Sequence, residues 1–143
     1  IIIKRHPSCR IFLFGSGEKE KTIFEKWTSK YPQCTDTSVI LNGLREELVL
    51  MKYLDAMITM DSANMHLASL VAVPVVSIWG ATHPFAGFMG WNQNIDNAIQ
   101  ADMPCRPCSI YGNKPCMRGD YACLKNIAPE TIANKIETIL LKK

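Results

Sequence analysis

The sequence predicts an α/β fold, a doubly wound and mainly parallel sheet with helices on both faces. Short β-rich runs alternate with longer segments of helical period in the order β-α-β-α-β-α-β, followed by a loop region and a final helix. Such alternation requires crossover connections, which are right-handed and pair the strands in parallel. The runs Ile11–Phe14 and Val75–Trp79 are apolar but for Ser77, as expected of strands covered on both faces. In folds of this kind ligands bind beyond the carboxyl ends of the strands.

The elements follow in chain order. Arg10 to Phe14 is a β-rich run that stops at the Gly15-Ser16-Gly17 turn. Glu18 to about Tyr31 is helical, with Ile23, Phe24 and Trp27 on one face and Glu18 and Glu20 in the first turn, where the helix dipole favours negative charge. Pro32 ends it, and Thr37–Leu41 is expected to be a second strand, closed by Asn42-Gly43. Leu44–Asp55 is helical through Leu44, Leu48 and Met51. Ala56–Met60 is an apolar strand, and Asp61-Ser62 opens a helix that reaches about Ala72. Pro74 precedes the strand Val75–Trp79, and Ile99-Gln100 is one more short strand. After a Cys- and Pro-rich loop over 103–126, Pro129 begins a terminal helix over 129–141 with Ile132, Ile136, Ile139 and Leu140 facing inward.

Length and composition narrow the function classes. The 143 residues support a single domain over 1–143, and 48% hydrophobic against 20% charged residues is globular composition, which excludes disordered and fibrous chains. A net charge of +3 gives no ground for a nucleic-acid partner. The longest apolar stretch, Leu67 to Ala81, is broken by Ser69 and Pro74 and falls short of the roughly 20 residues of a membrane helix. Ile1–Ile3 run directly into Lys4, Arg5 and His6, which leaves no hydrophobic region of a secretory signal. The chain starts with Ile rather than Met and is taken as a piece of a longer protein.

Charge placement bears on the chemistry. From Tyr53 through Cys105 there is no Lys or Arg. An anion held by that segment must therefore use backbone N–H groups, a histidine, or side chains from elsewhere. The Met60–Ala68 segment offers the first of these. A buried strand stops, a helix starts at once, and Asp61 or Ser62 can cap it, leaving the amides of Ala63, Asn64 and Met65 to point out of the sheet edge. A helix N-terminus stabilises a nearby negative charge by about 0.3–1 kcal/mol when exposed. The same residues could equally serve only as a helix cap. His66 shares a face with Ser62 one turn away and could meet a phosphate or a sugar hydroxyl, or be bonded within the structure. Gly15-Ser16-Gly17 lacks both the dinucleotide-binding spacing and the P-loop lysine, and no nucleophile elbow surrounds Ser16 or Ser62.

Six cysteines divide into two groups. Cys9 and Cys34 fall in expected regular elements and behave as small buried hydrophobes. Cys105, Cys108, Cys116 and Cys123 are spaced C-x2-C-x7-C-x6-C. Four thiolates suit tetrahedral zinc, but only the first pair has metal-ligand spacing. Disulfides are a second arrangement, and free thiols in a loop are the reading taken, with no metal ligand assigned. Arg106, Lys114, Arg118 and Lys125 make this a basic loop, read as solvated charge.

The run Asp61-Ser62-Ala63-Asn64-Met65-His66-Leu67-Ala68, followed by Pro74 to Thr82, resembles the C-terminal half of glycosyltransferase family 9, the lipopolysaccharide heptosyltransferase family. Phe14-Gly15-Ser16-Gly17-Glu18 is similar to that family's Gly-rich first turn, and Cys105-x-x-Cys108 with Ile127-Ala128-Pro129-Glu130 is similar to its C-terminal stretch. The resemblance runs from about Arg10 to Leu141 and departs at Ala63, where the family signature has Gly. It implies one Rossmann-like half of a two-domain GT-B enzyme, the half that binds a nucleotide-sugar donor, typically ADP-heptose. The acceptor-binding half, which holds a lipid-linked saccharide and supplies the base, would lie before Ile1. The implied reaction is an inverting transfer with no obligatory metal, on the cytoplasmic side and peripheral to the inner face of the membrane. By position, Asp61 would contact the sugar or orient the site as the catalytic residue. Ser62, Ala63 and Asn64 would hold the pyrophosphate by their amides, with His66 beside it. Gly15, Ser16 and Gly17 would form the donor-side turn, and Glu18, or else Glu20, would bond the ribose. Asn42 and Leu44 would face the adenine, and Thr82 would line the cleft. The alternative class is a non-enzymatic α/β binding module whose Cys-rich loop holds zinc.

Overall fold

The computed structural model describes residues 1–141 and is mixed α/β with parallel strands in two sheets. The chain divides into two compact units, Ile1–Leu50 and Met51–Lys143.

The first unit carries α1 (Ile2–Arg5), β1 (Ile11–Leu13), α2 (Glu18–Lys30), β2 (Cys34–Asp36), α3 (Thr37–Ile40) and the start of α4 (Leu44–Lys52). β1 and β2 pair in parallel, with Ile11 opposite Cys34 and Leu13 opposite Asp36. The expected second strand is displaced. Pairing falls on Cys34–Asp36, and Thr37–Ile40 turns into a short helix although its residues are mostly β-formers. Local hydrogen bonds explain this. The Asp36 carboxylate accepts from the Ser38 N–H at 2.9 Å and the Ser38 hydroxyl at 2.8 Å, which is an N-cap. The buried Thr37 hydroxyl donates to the Leu13 carbonyl at 2.9 Å, tying the new helix to β1. Val39 and Ile40 are left exposed. The expected inward faces of α2 and α4 are buried only in part: Phe24 and Met51 are covered, while Ile23, Trp27 and Leu44 stay exposed. Cys34 lies in β2 and is partly covered, and burial pushes its thiol up, with a smaller push from Cys9. Cys9 itself lies outside any regular element.

The second unit holds β3 (Met57–Met60), α5 (Ala63–Leu70), β4 (Val75–Trp79), β5 (Ala98–Gln100), α6 (Ala122–Lys125) and α7 (Pro129–Leu140). The strands pair in parallel in the order β3-β4-β5, Met57 opposite Val75 and Ile78 opposite Ile99. β4 is central, and its predicted bounds match those observed. Val75, Val76, Ser77 and Trp79 are all fully buried, and the Trp79 indole donates to the Ser77 hydroxyl at 2.9 Å, so neither polar group is stranded. At the start of β4 the Gln93 side chain stands in for a strand: its Oε1 accepts from the Val75 N–H at 2.8 Å and its Nε2 donates to the Val73 carbonyl at 2.9 Å.

The core of this unit is Val76, Ile99, Ile136 and Ile139, with Ala56, Ile127 and Ile132 packed against it, so α7 closes one face of the sheet. Ile132, Ile136 and Ile139 take the inward positions predicted for them. Leu140 does not: it turns to the exposed side, and Ala133 occupies the buried position instead, as the helical period from Ile136 requires. α6, which lies within the Cys-rich loop, has no counterpart in the predicted elements. Ile136→Ala removes a side chain from the centre of this cluster and should cost about 2–5 kcal/mol, read as a lowered urea midpoint for the second unit.

Candidate functional site

β3 ends at Met60, and the backbone passes through Asp61 and Ser62 into α5. Ser62 is the N-cap by backbone geometry (φ −152°, ψ 170°), but its side chain makes no capping bond. Its hydroxyl is instead paired with Thr59 Oγ1 at 2.9 Å, back along β3. The amide of Met65 is bonded to the Ser62 carbonyl at 3.1 Å. The first turn of α5 thus keeps its positive end without a capping hydroxyl. His66 is exposed on the second turn.

Immediately beside this turn is a cavity of about 310 Å³ at the carboxyl ends of β3 and β4. Met60 and Asp61 come from β3 and its end; Ile78, Gly80, Ala81 and Thr82 come from β4 and its exit. The opposite wall is the Cys-rich loop, through Cys108, Tyr111, Gly112, Lys114, Cys116, Tyr121, Cys123 and Leu124. Asp61 and Thr82 are therefore brought together, as the strand-end rule demands. Ser62, Ala63, Asn64 and His66 adjoin Asp61 in the chain but are not among the residues that line the cavity. Gly80 sets how near the far wall can come: a Cβ there would meet Leu124 Cδ2 and Cγ at 2.9 Å.

Arg106 holds the loop in this position. Its Nε donates to the Gly80 carbonyl at 2.5 Å, Nη1 to the Ala101 carbonyl at 2.6 Å, and Nη2 to the Thr82 carbonyl at 3.0 Å and to Gln100 Oε1 at 3.1 Å. The Cys108 N–H adds a bond to the Ala81 carbonyl at 2.8 Å. Burial draws the Arg106 guanidinium below its ordinary value, and the neighbouring Cys123, Cys108, Cys105 and Asp102 act in the other direction. Arg106 is thus a structural staple and not part of a solvated basic loop. Arg118 is also engaged: it bonds the Asp120 carboxylate, its Nη2 lying 2.9 Å from Oδ2. Asp120 in turn accepts from the Ala122 N–H at 3.1 Å and so caps α6. Among the described residues, Lys114 is the one cation on the cavity wall. It comes from outside the cation-free middle segment. Its position was not legible in the sequence, because the loop's fold depends on the Arg106 contacts.

The four late cysteines are free thiols, with Cys123 buried and the others partly covered. Among the described residues no group of three or more His, Cys, Asp or Glu side chains is arranged to hold a metal ion.

The remaining candidate residues belong to the first unit. The Gly15-Ser16-Gly17 turn is filled by Glu20, whose Oε2 accepts from the amides of Ser16 and Gly17, each at 3.0 Å. A Cβ at Gly15 would lie 2.7 Å from that same oxygen and 3.1 Å from Phe24 Cζ, so the Glu20 side chain would have to shift from its place on the two amides. Glu18 is exposed and paired with Lys21 at 3.2 Å. The Asn42 amide donates to Glu46 Oε2 at 2.7 Å, Gly43 adopts φ +90°, and Leu44 begins α4 with its side chain exposed.

The family model of glycosyltransferase family 9 (heptosyltransferase) matches residues 2–116. Among curated proteins, lipooligosaccharide heptosyltransferase 2 of Campylobacter jejuni serotype O:2 is 25% identical over 136 residues, which is 91% of this chain and 40% of that protein. Its counterpart in serotype O:6 is 24% identical over 92% of this chain and 42% of its own length. Lipopolysaccharide heptosyltransferase 1 of Pseudomonas aeruginosa is 28% identical over 60% of this chain and 27% of its own length. The chain spans about two-fifths of the length of the two Campylobacter relatives. No solved structure matches it significantly.

Two substitutions test the local architecture. Arg106→Ala strips the strand-end carbonyls of a charged donor and should lower stability by about 1.5–3 kcal/mol, with Arg106→Lys recovering only part, as read from denaturant midpoints. Glu20→Ala removes the carboxylate that satisfies two amides at the start of α2 and should cost about 1 kcal/mol, seen as a loss of helical circular dichroism at lower urea.

Proposed function

Since this chain belongs to glycosyltransferase family 9, we propose that it is the donor-binding part of an enzyme that transfers heptose from a nucleotide-sugar, ADP-heptose, to a lipopolysaccharide-core acceptor with inversion at the anomeric carbon. The observation that carries this reading is the cavity at the carboxyl ends of β3 and β4, which combines one carboxylate, Asp61, with one cation, Lys114, beside a helix start that no serine hydroxyl caps.

The chemistry follows from where charge develops. As the bond between the donor sugar's anomeric carbon and its diphosphate oxygen breaks, the departing diphosphate gains negative charge and the sugar becomes oxocarbenium-like. Lys114 and the first-turn amides of Ser62, Ala63 and Asn64 supply the positive end for the diphosphate. Asp61 would repel a phosphate in contact with it. Its carboxylate therefore faces the sugar, where it accepts from a hydroxyl and favours the positive charge forming on the ring. Thr82, buried on the cavity wall, packs against the donor, and His66 sits on the outer side of the diphosphate. The catalytic base belongs to the acceptor-binding part of the enzyme, as the family resemblance implies. The lipid-linked acceptor and a place at the inner face of the cytoplasmic membrane are part of the same proposal. No helix among the described residues is long and apolar enough to cross a membrane.

Calorimetric titration separates the two charged roles. Lys114→Ala should weaken ADP binding by about tenfold, equivalent to about 1.4 kcal/mol, with Lys114→Arg retaining most of the affinity. Asp61→Asn should leave ADP affinity unchanged while it weakens ADP-heptose binding and lowers the rate of transfer in the complete enzyme. Equal ADP affinity in wild type and Lys114→Ala, together with unaltered ADP-heptose affinity in Asp61→Asn, would remove the cavity from the reaction.

A further inference from the structure

The cavity wall carries a chemistry that glycosyl transfer does not use. Cys108, Cys116 and Cys123 all line it, and Cys105 adjoins them through the Cys108 Sγ–H, which lies 3.3 Å from the Cys105 carbonyl. Four free thiols within one loop, three on a single surface, form a cluster of nucleophiles.

The members differ in their surroundings. After Cys116 the chain turns tightly: the Gly119 N–H donates to the Cys116 carbonyl at 3.0 Å, and Gly119 (φ +73°) and Tyr121 (φ +54°) take left-handed backbone. The N–H groups of Tyr121, Arg118, Gly119 and Asp120 act on the Cys116 thiol. Led by the Tyr121 amide, they hold the Cys116 thiol below its ordinary value against the opposing effect of burial. Cys108 is the opposite case. Burial pushes its thiol up, and Cys105, Cys116 and Cys123 push it further, against a smaller pull from Arg106. Its backbone is pinned to the end of β4 by the 2.8 Å bond to the Ala81 carbonyl. Cys123 is buried on α6 and less open to a reagent from solvent.

We propose that Cys116 and Cys108 form a thiol-modification site on this wall, at which a low-molecular-weight disulfide of the glutathione class converts the pair to an intramolecular disulfide. The Cys116 thiolate attacks one sulfur of the small disulfide, whose S–S bond breaks, and the first small thiol leaves and takes up a proton. Cys108 then loses its proton and attacks the Cys116 sulfur of the mixed disulfide, and the second small thiol leaves. Two protein thiols are oxidised by two electrons, the small disulfide is reduced by the same two, and two small thiols are released. Lys114 on the same wall attracts a reagent bearing carboxylates. The resulting bridge would tie two parts of the loop together on the wall of the cavity that Asp61 also lines.

The test uses the full chain and oxidised glutathione as the probe. Iodoacetamide at neutral pH should label Cys116 about tenfold faster than Cys9 or Cys34. Peptide mapping without reductant after exposure to oxidised glutathione should show a Cys116–Cys108 bridge. Cys108→Ser should stop at a glutathione adduct on Cys116, and Cys116→Ser should leave Cys108 reduced under the same exposure. Circular dichroism of both variants confirms that they fold. A bridge that omits Cys116, a bridge from Cys116 to Cys105 or Cys123, or labelling of Cys116 no faster than of Cys9 would overturn the proposal.

Discussion

The candidate site depends on one guanidinium. Parallel strands end with carbonyls that no neighbour satisfies, and here a long irregular loop is laid over those ends. Arg106 meets this constraint by donating to the Gly80, Thr82 and Ala101 carbonyls and to the Gln100 side chain. A planar group with several fixed donors can span the exits of two adjacent strands at once, which a lysine cannot. The same contacts decide where the rest of the loop goes. With Arg106 anchored and the Cys108 amide on Ala81, the following residues are carried back over the end of β3. Lys114 and Cys116 then line the same cavity as Asp61.

The electrostatic arrangement is a division of labour between two parts of the chain. The strand-to-helix segment has no cation of its own and contributes a helix start whose N-cap hydroxyl is engaged with Thr59. The cation arrives from more than thirty residues downstream, on a loop with no regular structure except the single turn of α6. The acidic partner of Arg118 is used to cap that turn. What remains unneutralised on the cavity wall is Lys114. A cavity built in this way has its cation only when the loop is in place, so the anion binding proposed for it depends on the integrity of the Arg106 staple.

The Gly15 turn shows how a local contact can take over donors that a sequence motif seems to offer. The amides of Ser16 and Gly17 look available by position, yet Glu20 folds back from the first turn of α2 and fills both. The lack of a side chain at Gly15 serves that carboxylate. The shift of the second strand has the same origin. Asp36 and Thr37 both find hydrogen-bond partners close by, and these outweigh the β-preference of Val39 and Ile40, whose side chains gain no burial in return.

Periodicity alone was enough to place α2, β4, α7 and the junction at Asp61, because each is set by apolar spacing or by an unambiguous turn residue within a few positions. The α/β class with parallel pairing followed from their order, and the family resemblance followed from the Asp61–Ala68 run. The pairing of strands into two sheets, the helix at Thr37–Ile40, the exposure of Leu140 and the company that Asp61 keeps were decided by tertiary structure. Each of these depends on hydrogen bonds or contacts between residues far apart in the chain, or on competition between two locally allowed conformations. Such a competition is settled by which polar groups find partners, and a linear sequence records the groups but not their meeting.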